Sequence, residues 1–244
     1  PQMKSNKRIK MAKHTLTYFG MGGRAEPIRL AAVIGRFPFT NKAVAYKDFG
    51  EMVAGLPLGQ LPILEIEEGG TKTVIPQSDA ILRYFGKQTG LYPDDPVEAM
   101  QVDSLLDTIK DLEMPLDVTF MGPVRFLFAD KEWEEEDKLA MRKRILEKAI
   151  PKYLGFVEGK LRDNGTGWLV GKNVTIADLR LYYPCQLMIG KGILDGIPAE
   201  SLDAYPNIKT CMTGIEKIPQ VAAWYEKYPG GKYGNFDFVP KDEE

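Results

Sequence analysis

Polar and apolar residues alternate with a period of two over residues 14–19, where Leu16 and Tyr18 interleave with Thr15 and Thr17. That pattern predicts a β-strand. The chain then breaks at Gly20, Gly22 and Gly23, and apolar positions recur at helical spacing over 26–34. Pro27 is tolerable there because it falls in the first turn, and Gly35 is a natural stop. A second strand is expected over 41–46. Two more, over 63–67 and 72–75, flank Gly69 and Gly70, a tight hairpin signal. Ser78 is expected to cap a helix carrying Ile81, Leu82, Tyr84 and Phe85, which Gly90 ends. The order β-α-β-(α)-β-β-α predicts a small α/β layer with a mixed sheet over residues 13–91.

Residues 92–96 hold Pro93, Asp94, Asp95 and Pro96 and read as a linker. Beyond it, over 97–229, the pattern is helical. Val102, Leu105, Leu106, Ile109 and Leu112 mark a long helix over 97–121, which Pro115 is expected to kink or end. Further helices are expected over 134–161 (bent at Pro151), 175–189, 208–217 and 219–227. Thr175 and Asp178 form the Asp version of a capping box, a device for stability rather than chemistry. Residues 230–244 read as an irregular tail. Residues 1–12 are basic and polar, without the apolar stretch of a secretory signal, and read as a disordered extension with Met11 a candidate start.

Composition narrows the function. The formal net charge is −2, which offers nothing to a nucleic acid or an anionic membrane. No apolar run reaches about 18 residues, so no spanning helix is expected. The two cysteines, Cys185 and Cys211, belong to no C-x-x-C, and one histidine in the chain excludes the usual zinc patterns. Free, buried thiols in a reducing, cytoplasmic compartment are the expectation. His14 is expected at the surface or at a strand edge.

Three features point to chemistry. A phenol, Tyr18, stands at a strand-to-helix turn. An apolar residue and a proline, Leu61 and Pro62, begin a strand. Gln77 and Ser78 open a helix. Together they suit a small thiol peptide whose sulfur is to be ionised. The matching stretches are Leu16 to Phe19, Gly23 to Glu26, Gly59 to Glu65, Gln77 to Tyr84, then Val102, Asp103, Asp107 and Asp111, and Val174 to Asp178. In this order the chain resembles the cytosolic glutathione S-transferases, most like the sigma class with its relatives the glutathione-dependent prostaglandin D synthases and the S-crystallins. The resemblance implies a thioredoxin-like N-terminal domain that binds glutathione, an all-α C-terminal domain carrying a pocket for a hydrophobic substrate, and a homodimer.

It also assigns roles. A free thiol has a pKa of about 8.5, so only a small fraction is thiolate at pH 7. A phenol donating to the sulfur favours the anion by about 1.5–3 kcal/mol, roughly one to two pH units. Tyr18 takes that role, with Arg24 adding positive charge at the following helix. The turn directly after the first strand, residues 18–23, holds no cysteine, so the substrate must bring the sulfur. The resemblance makes Leu61–Pro62 a cis bond presenting the Leu61 backbone to the cysteinyl unit, although a trans bond is the default from sequence alone. Gln77 and Ser78 suit the γ-glutamyl carboxylate at a helix N-terminus. Asp111 of the other subunit would meet the γ-glutamyl ammonium. Phe49 stands where sigma relatives usually carry Trp, and Val53 where many carry a Lys facing the glycine carboxylate, leaving Gln60 to compensate. Phe19, Met21, Met114, Val118 and Phe120 are candidates for the apolar wall beside the thiolate. Asp103, Asp107 and Asp111 share one helix face, but Lys110 interrupts the acidic cluster that binds a divalent cation in some prostaglandin D synthases, so no metal is expected.

The expectation is therefore a transferase that conjugates glutathione to small hydrophobic electrophiles. Its rivals are a glutathione-dependent isomerase of oxygenated lipids and a non-catalytic, S-crystallin-like or ligand-carrying protein.

Overall fold

The computed structural model describes residues 12–123 and 129–240. Apart from residue 12, the expected basic extension lies outside the described residues, as do 241–244. Strand β1 (Lys13–Phe19) is followed by helix α1 (Glu26–Ile34), β2 (Phe39–Val44), a short α2 (Phe49–Met52), β3 (Ile63–Glu68), β4 (Thr71–Pro76) and α3 (Ser78–Thr89). A last strand, β5 (Phe236–Phe238), comes from the far end of the chain. The sheet order is β4-β3-β1-β2-β5. β1 runs parallel to β2, with Tyr18 opposite Ala43, and antiparallel to β3, with Leu16 opposite Leu64. β1 is thus central, and its last four residues are buried whichever way they point. A strand covered on both faces has no polar side to show.

The rest is helical. α4 (Pro96–Met121) starts where Asp95 accepts from the N–H groups of Val97 and Glu98, at 2.9 Å each. It does not end at Pro115. The proline removes one donor, that to the carbonyl of Asp111 four residues earlier, and the helix runs on to Met121. The helix expected over 134–161 appears as α5 (Glu135–Arg144), a π-helical turn (Ile145–Ala149) and α6 (Ile150–Asn164), with Pro151 in the first turn of α6. α7 (Ile176–Tyr182) likewise runs into a π-helical segment, Tyr183–Ile189. α8 (Pro206–Glu216) and α9 (Pro219–Lys227) complete the set. α1 packs on α3, α7 and α9, so one helix joins the sheet to the helical part. Among the described residues no helix is long and apolar enough to cross a membrane.

The capping box forms. Asp178 accepts from the Thr175 N–H at 2.7 Å, and its other oxygen takes the Leu169 N–H at 2.8 Å. Burial pushes the Asp178 carboxyl up to about 6 against these two donors. His14 departs from expectation. It is buried, its Nε2 lies 2.7 Å from the Tyr84 hydroxyl, and it packs edge-on against Phe37. Burial lowers its pKa, so a neutral ring fills this part of the core.

The segment read as an irregular tail also departs from expectation. Residues 232–238 cross back over the sheet. The Tyr233 N–H donates to the Gly20 carbonyl at 3.2 Å, Asn41 Nδ2 donates to the Gly234 carbonyl at 2.8 Å, and β5 pairs with β2. This covers an edge that would otherwise expose unpaired backbone groups. The pairing joins residues nearly two hundred apart, and three residues of strand carry no readable period. The Tyr233 hydroxyl donates to Glu26 at 2.6 Å and accepts from Trp224 Nε1 at 3.0 Å, all three groups being buried. Tyr233→Phe is expected to leave the Trp224 N–H unpaired and Glu26 short of a donor. It should cost about 1–3 kcal/mol in urea denaturation; an unchanged midpoint would show that water replaces the hydroxyl.

Candidate active site

Tyr18 is the penultimate residue of β1 and is buried, at 7% exposure. The chain turns beneath it, and the Arg24 N–H donates to the Tyr18 hydroxyl at 3.2 Å. This close approach depends on Gly23. Its φ is +51°, and a Cβ there would lie 2.6 Å from the hydroxyl oxygen. Burial raises the phenol's pKa, and the Arg24 N–H and the cations of Arg24 and Arg29 only partly offset this. The phenol therefore stays protonated. Its oxygen accepts from the backbone, which leaves the O–H proton to donate outward.

The Arg24 side chain reaches across to α4. Its Nε lies 2.9 Å from Glu113 Oε1 and 3.1 Å from Asp117 Oδ2, and its Nη2 also meets Asp117. Glu113 in turn pairs with Arg180 of α7, and Arg180 Nε donates to Asp79 at the start of α3 at 2.7 Å. The Tyr183 hydroxyl, from the π-helical segment after α7, donates to Asp117 Oδ1 at 3.4 Å. Burial opposes the charge on Arg24, but Asp117 and Glu113 overcome it and raise the guanidinium above its ordinary value. Asp117 is pushed up to about 7 by burial and by the Glu113 carboxylate, against the pull of Arg24.

The Leu61–Pro62 bond is cis, directly before β3. Leu61 is buried and Gln60 is exposed. At α3 the N-cap is Gln77 rather than Ser78. Gln77 has φ 80° and ψ 106° and makes no side-chain capping bond, and Ser78 is the first helical residue, half-buried. A non-glycine residue held in that region marks a local strain that its surroundings must sustain. Phe49 packs edge-on against Phe19, with ring centroids 5.2 Å apart, and Tyr46 stacks on Phe19 at 5.1 Å. Val53 is 38% exposed.

The five candidates for the apolar wall are not brought together as one surface. Phe19 and Val118 are buried, Met21 and Phe120 are exposed, and Met114 lines a surface depression of about 470 Å³ with Asp107, Lys110, Asp111, Pro115 and Tyr153. Asp103 leaves the expected acidic stripe to bind Arg83 Nε at 2.7 Å and the Tyr92 hydroxyl at 2.9 Å. Cys185 and Cys211 are free and buried, and burial pushes the Cys185 thiol up to about 12 and raises Cys211 as well. Neither supplies a thiolate near neutral pH.

Residues 120–228 match the model of the glutathione S-transferase C-terminal domain. The chain is similar to glutathione S-transferase 1 of Ascaris suum, 30% identical over 91% of this chain and 100% of that protein. The chain belongs to the glutathione S-transferase family. It is also 30% identical to the hematopoietic prostaglandin D synthase of Gallus gallus, over 90% of this chain and 98% of that protein. Among solved structures it superposes on prostaglandin synthase D of Nilaparvata lugens with a TM-score of 0.75 at 25% identity, covering 89% of this chain and 99% of the other.

Several groups around Tyr18 escaped the sequence reading: Glu113, Asp117, Arg180 and Tyr183. One signal was available. Glu113 and Asp117 stand four apart among Leu112, Leu116 and Val118, and Arg180 stands between Leu179 and Leu181. A charge inside an apolar run needs a partner, but which partner is a question of tertiary structure. Gly23→Ala is expected to force the Tyr18 ring aside and to cost about 1–3 kcal/mol in a denaturant melt. Native stability with unmoved Tyr18 ring signals in an NMR spectrum would show that the turn has room to spare.

Proposed function

We propose that this family member is a glutathione transferase in which Tyr18 stabilises the glutathione thiolate for attack on a small hydrophobic electrophile. The observation that carries this reading is the hydroxyl of Tyr18: buried, protonated, already accepting the Arg24 N–H, and so left with one proton to donate. A donor fixed before the sulfur ionises costs no reorganisation when charge forms. Glutathione would lie along Leu61–Pro62, with its γ-glutamyl carboxylate at the N-terminus of α3. There Arg180 neutralises Asp79, so the first turn stays attractive to an anion. Gln60, Gln77, Ser78 and Phe49 complete that half of the site. The electrophile would meet Met21 and the exposed ring of Tyr46, which stacks on the buried Phe19. The protein supplies activation and proximity, forms no covalent intermediate, needs no metal and acts in the cytoplasm.

A second reading, a glutathione-dependent isomerase of oxygenated lipids, draws on the relatives named as prostaglandin D synthases. It uses the same thiolate, and product analysis separates the two: a conjugate against a rearranged lipid with glutathione regenerated.

Titrating the thiolate's ultraviolet absorbance in the glutathione complex is expected to give a pKa about one to two units below that of free glutathione, returning upward in Tyr18→Phe. Binding without a shift would leave a carrier rather than a catalyst.

Asp111 is exposed on α4 and lines the depression it shares with Met114 and Tyr153. As part of a homodimer it would reach the γ-glutamyl ammonium of the other subunit's glutathione. Asp111→Asn is then expected to raise KM for glutathione about tenfold or more with kcat retained. A protein that sediments as a monomer at assay concentration would overturn the shared site.

A further inference from the structure

Two cations, Arg24 and Arg180, face three carboxylates, Glu113, Asp117 and Asp79, at the junction of the sheet and the helical part. The side chains of Glu113, Asp117 and Arg180 are no more than 4% exposed, so water screens this cluster poorly. With every member ionised it carries one surplus negative charge. Asp117 meets Arg24, the Tyr183 hydroxyl and the Glu113 carboxyl beside it on α4, and its field reaches the Tyr18 phenol. The groups that face it are Arg24 from the turn after β1, Tyr18 from β1, Glu113 from its own helix and Tyr183 from the segment after α7. Arg142 of α5 is directed at Thr119, donating to its carbonyl at 3.0 Å.

We infer that Asp117 is a positioning residue that restrains the thiol: it holds the Arg24 guanidinium beside Tyr18 and, when ionised, competes with the glutathione thiolate for that single positive charge. This rests on glutathione lying with its sulfur at Tyr18, as proposed above. A proton on Asp117 leaves the guanidinium held by Glu113 alone and frees its charge for the sulfur. An ionised Asp117 adds a like charge next to the place where the thiolate forms. The two titrations are therefore coupled. Ionising the sulfur raises the proton affinity of Asp117, and ionising Asp117 raises the proton affinity of the sulfur, by the same amount. The displacement of Asp117 to about 7 puts this competition near neutral pH.

The test compares Asp117→Asn with the unaltered protein. The amide keeps an oxygen for Arg24 and removes the charge. The thiolate pKa of bound glutathione, and the acid limb of kcat/KM against pH, are expected to fall by about one pH unit. Asp117→Glu should return both toward the original values. A purely structural Asp117 would lower stability and glutathione affinity without moving the acid limb, which overturns the proposal, as does an upward shift. If no thiolate forms even in the unaltered protein, the reading of Tyr18 falls and this proposal with it; a normal thiolate that Asp117→Asn leaves unmoved overturns this proposal alone. A second measurement needs no variant. Calorimetry of glutathione binding near pH 7, in buffers of different ionisation enthalpy, is expected to release fewer protons than the thiolate absorbance counts, because Asp117 takes some up. Equal numbers would overturn the coupling.

Discussion

Everything at this site turns on Arg24, whose backbone and side chain serve different partners. Its N–H holds the Tyr18 hydroxyl from within the sheet-bearing part, while its guanidinium is held by Glu113 and Asp117 from α4. One residue thus sets the phenol and ties the sheet to the helices. A buried guanidinium is tolerated only with carboxylates against it, and buried carboxylates only with a cation. The cluster therefore resists piecemeal change: removing one partner strands another. Through Glu113 and Arg180 the same chain of charges continues to Asp79, at the helix end where the other half of glutathione is proposed to lie.

The C-terminal crossing supports this arrangement from the opposite side. Tyr233 lies over the Arg29 guanidinium, 4.2 Å from ring centroid to carbon, and its N–H binds the Gly20 carbonyl in the turn after β1. Gly20 has no room for a side chain there, because a Cβ would come within 2.8 Å of the Tyr233 carbonyl oxygen. Glu26 takes hydroxyl donors from both Tyr225 and Tyr233 and a weak contact from Arg29. The turn that delivers Arg24 to Tyr18 is consequently gripped by α4 through charge and by the end of the chain through backbone bonds and rings. A turn rich in glycine has much conformational entropy to lose, and these two grips are what fix it.

Much of the fold was legible because it follows local rules. Period two placed β1, and the glycine pair between them placed β3 and β4. The Gly69–Gly70 hairpin, the Thr175–Asp178 capping box and the stops at Gly35 and Gly90 depend on residues close in sequence. Where the reading failed, a distant partner had decided the matter. His14 is core because Tyr84 and Phe37 enclose it. Pro115 does not end α4, because buried residues on either side of it, Leu112 and Leu116 among them, hold the helix in place by packing. Phe236 to Phe238 are a strand only because β2 offers them an edge.

The sequence by itself determined the order of the elements, the membership of the family and the residue types at the candidate site, because these depend on local periodicity, capping and motif spacing. Tertiary structure alone decided how those residues act. The Tyr18 hydroxyl is left with a proton to donate because Gly23 lets the backbone approach its oxygen. Arg24 is immobilised because α4 presents two carboxylates at the right turn. Asp117 holds its proton toward neutral pH because it is buried beside a second acid. Proton affinity and charge depend on distance and on exclusion of water, and neither quantity exists until the chain has folded.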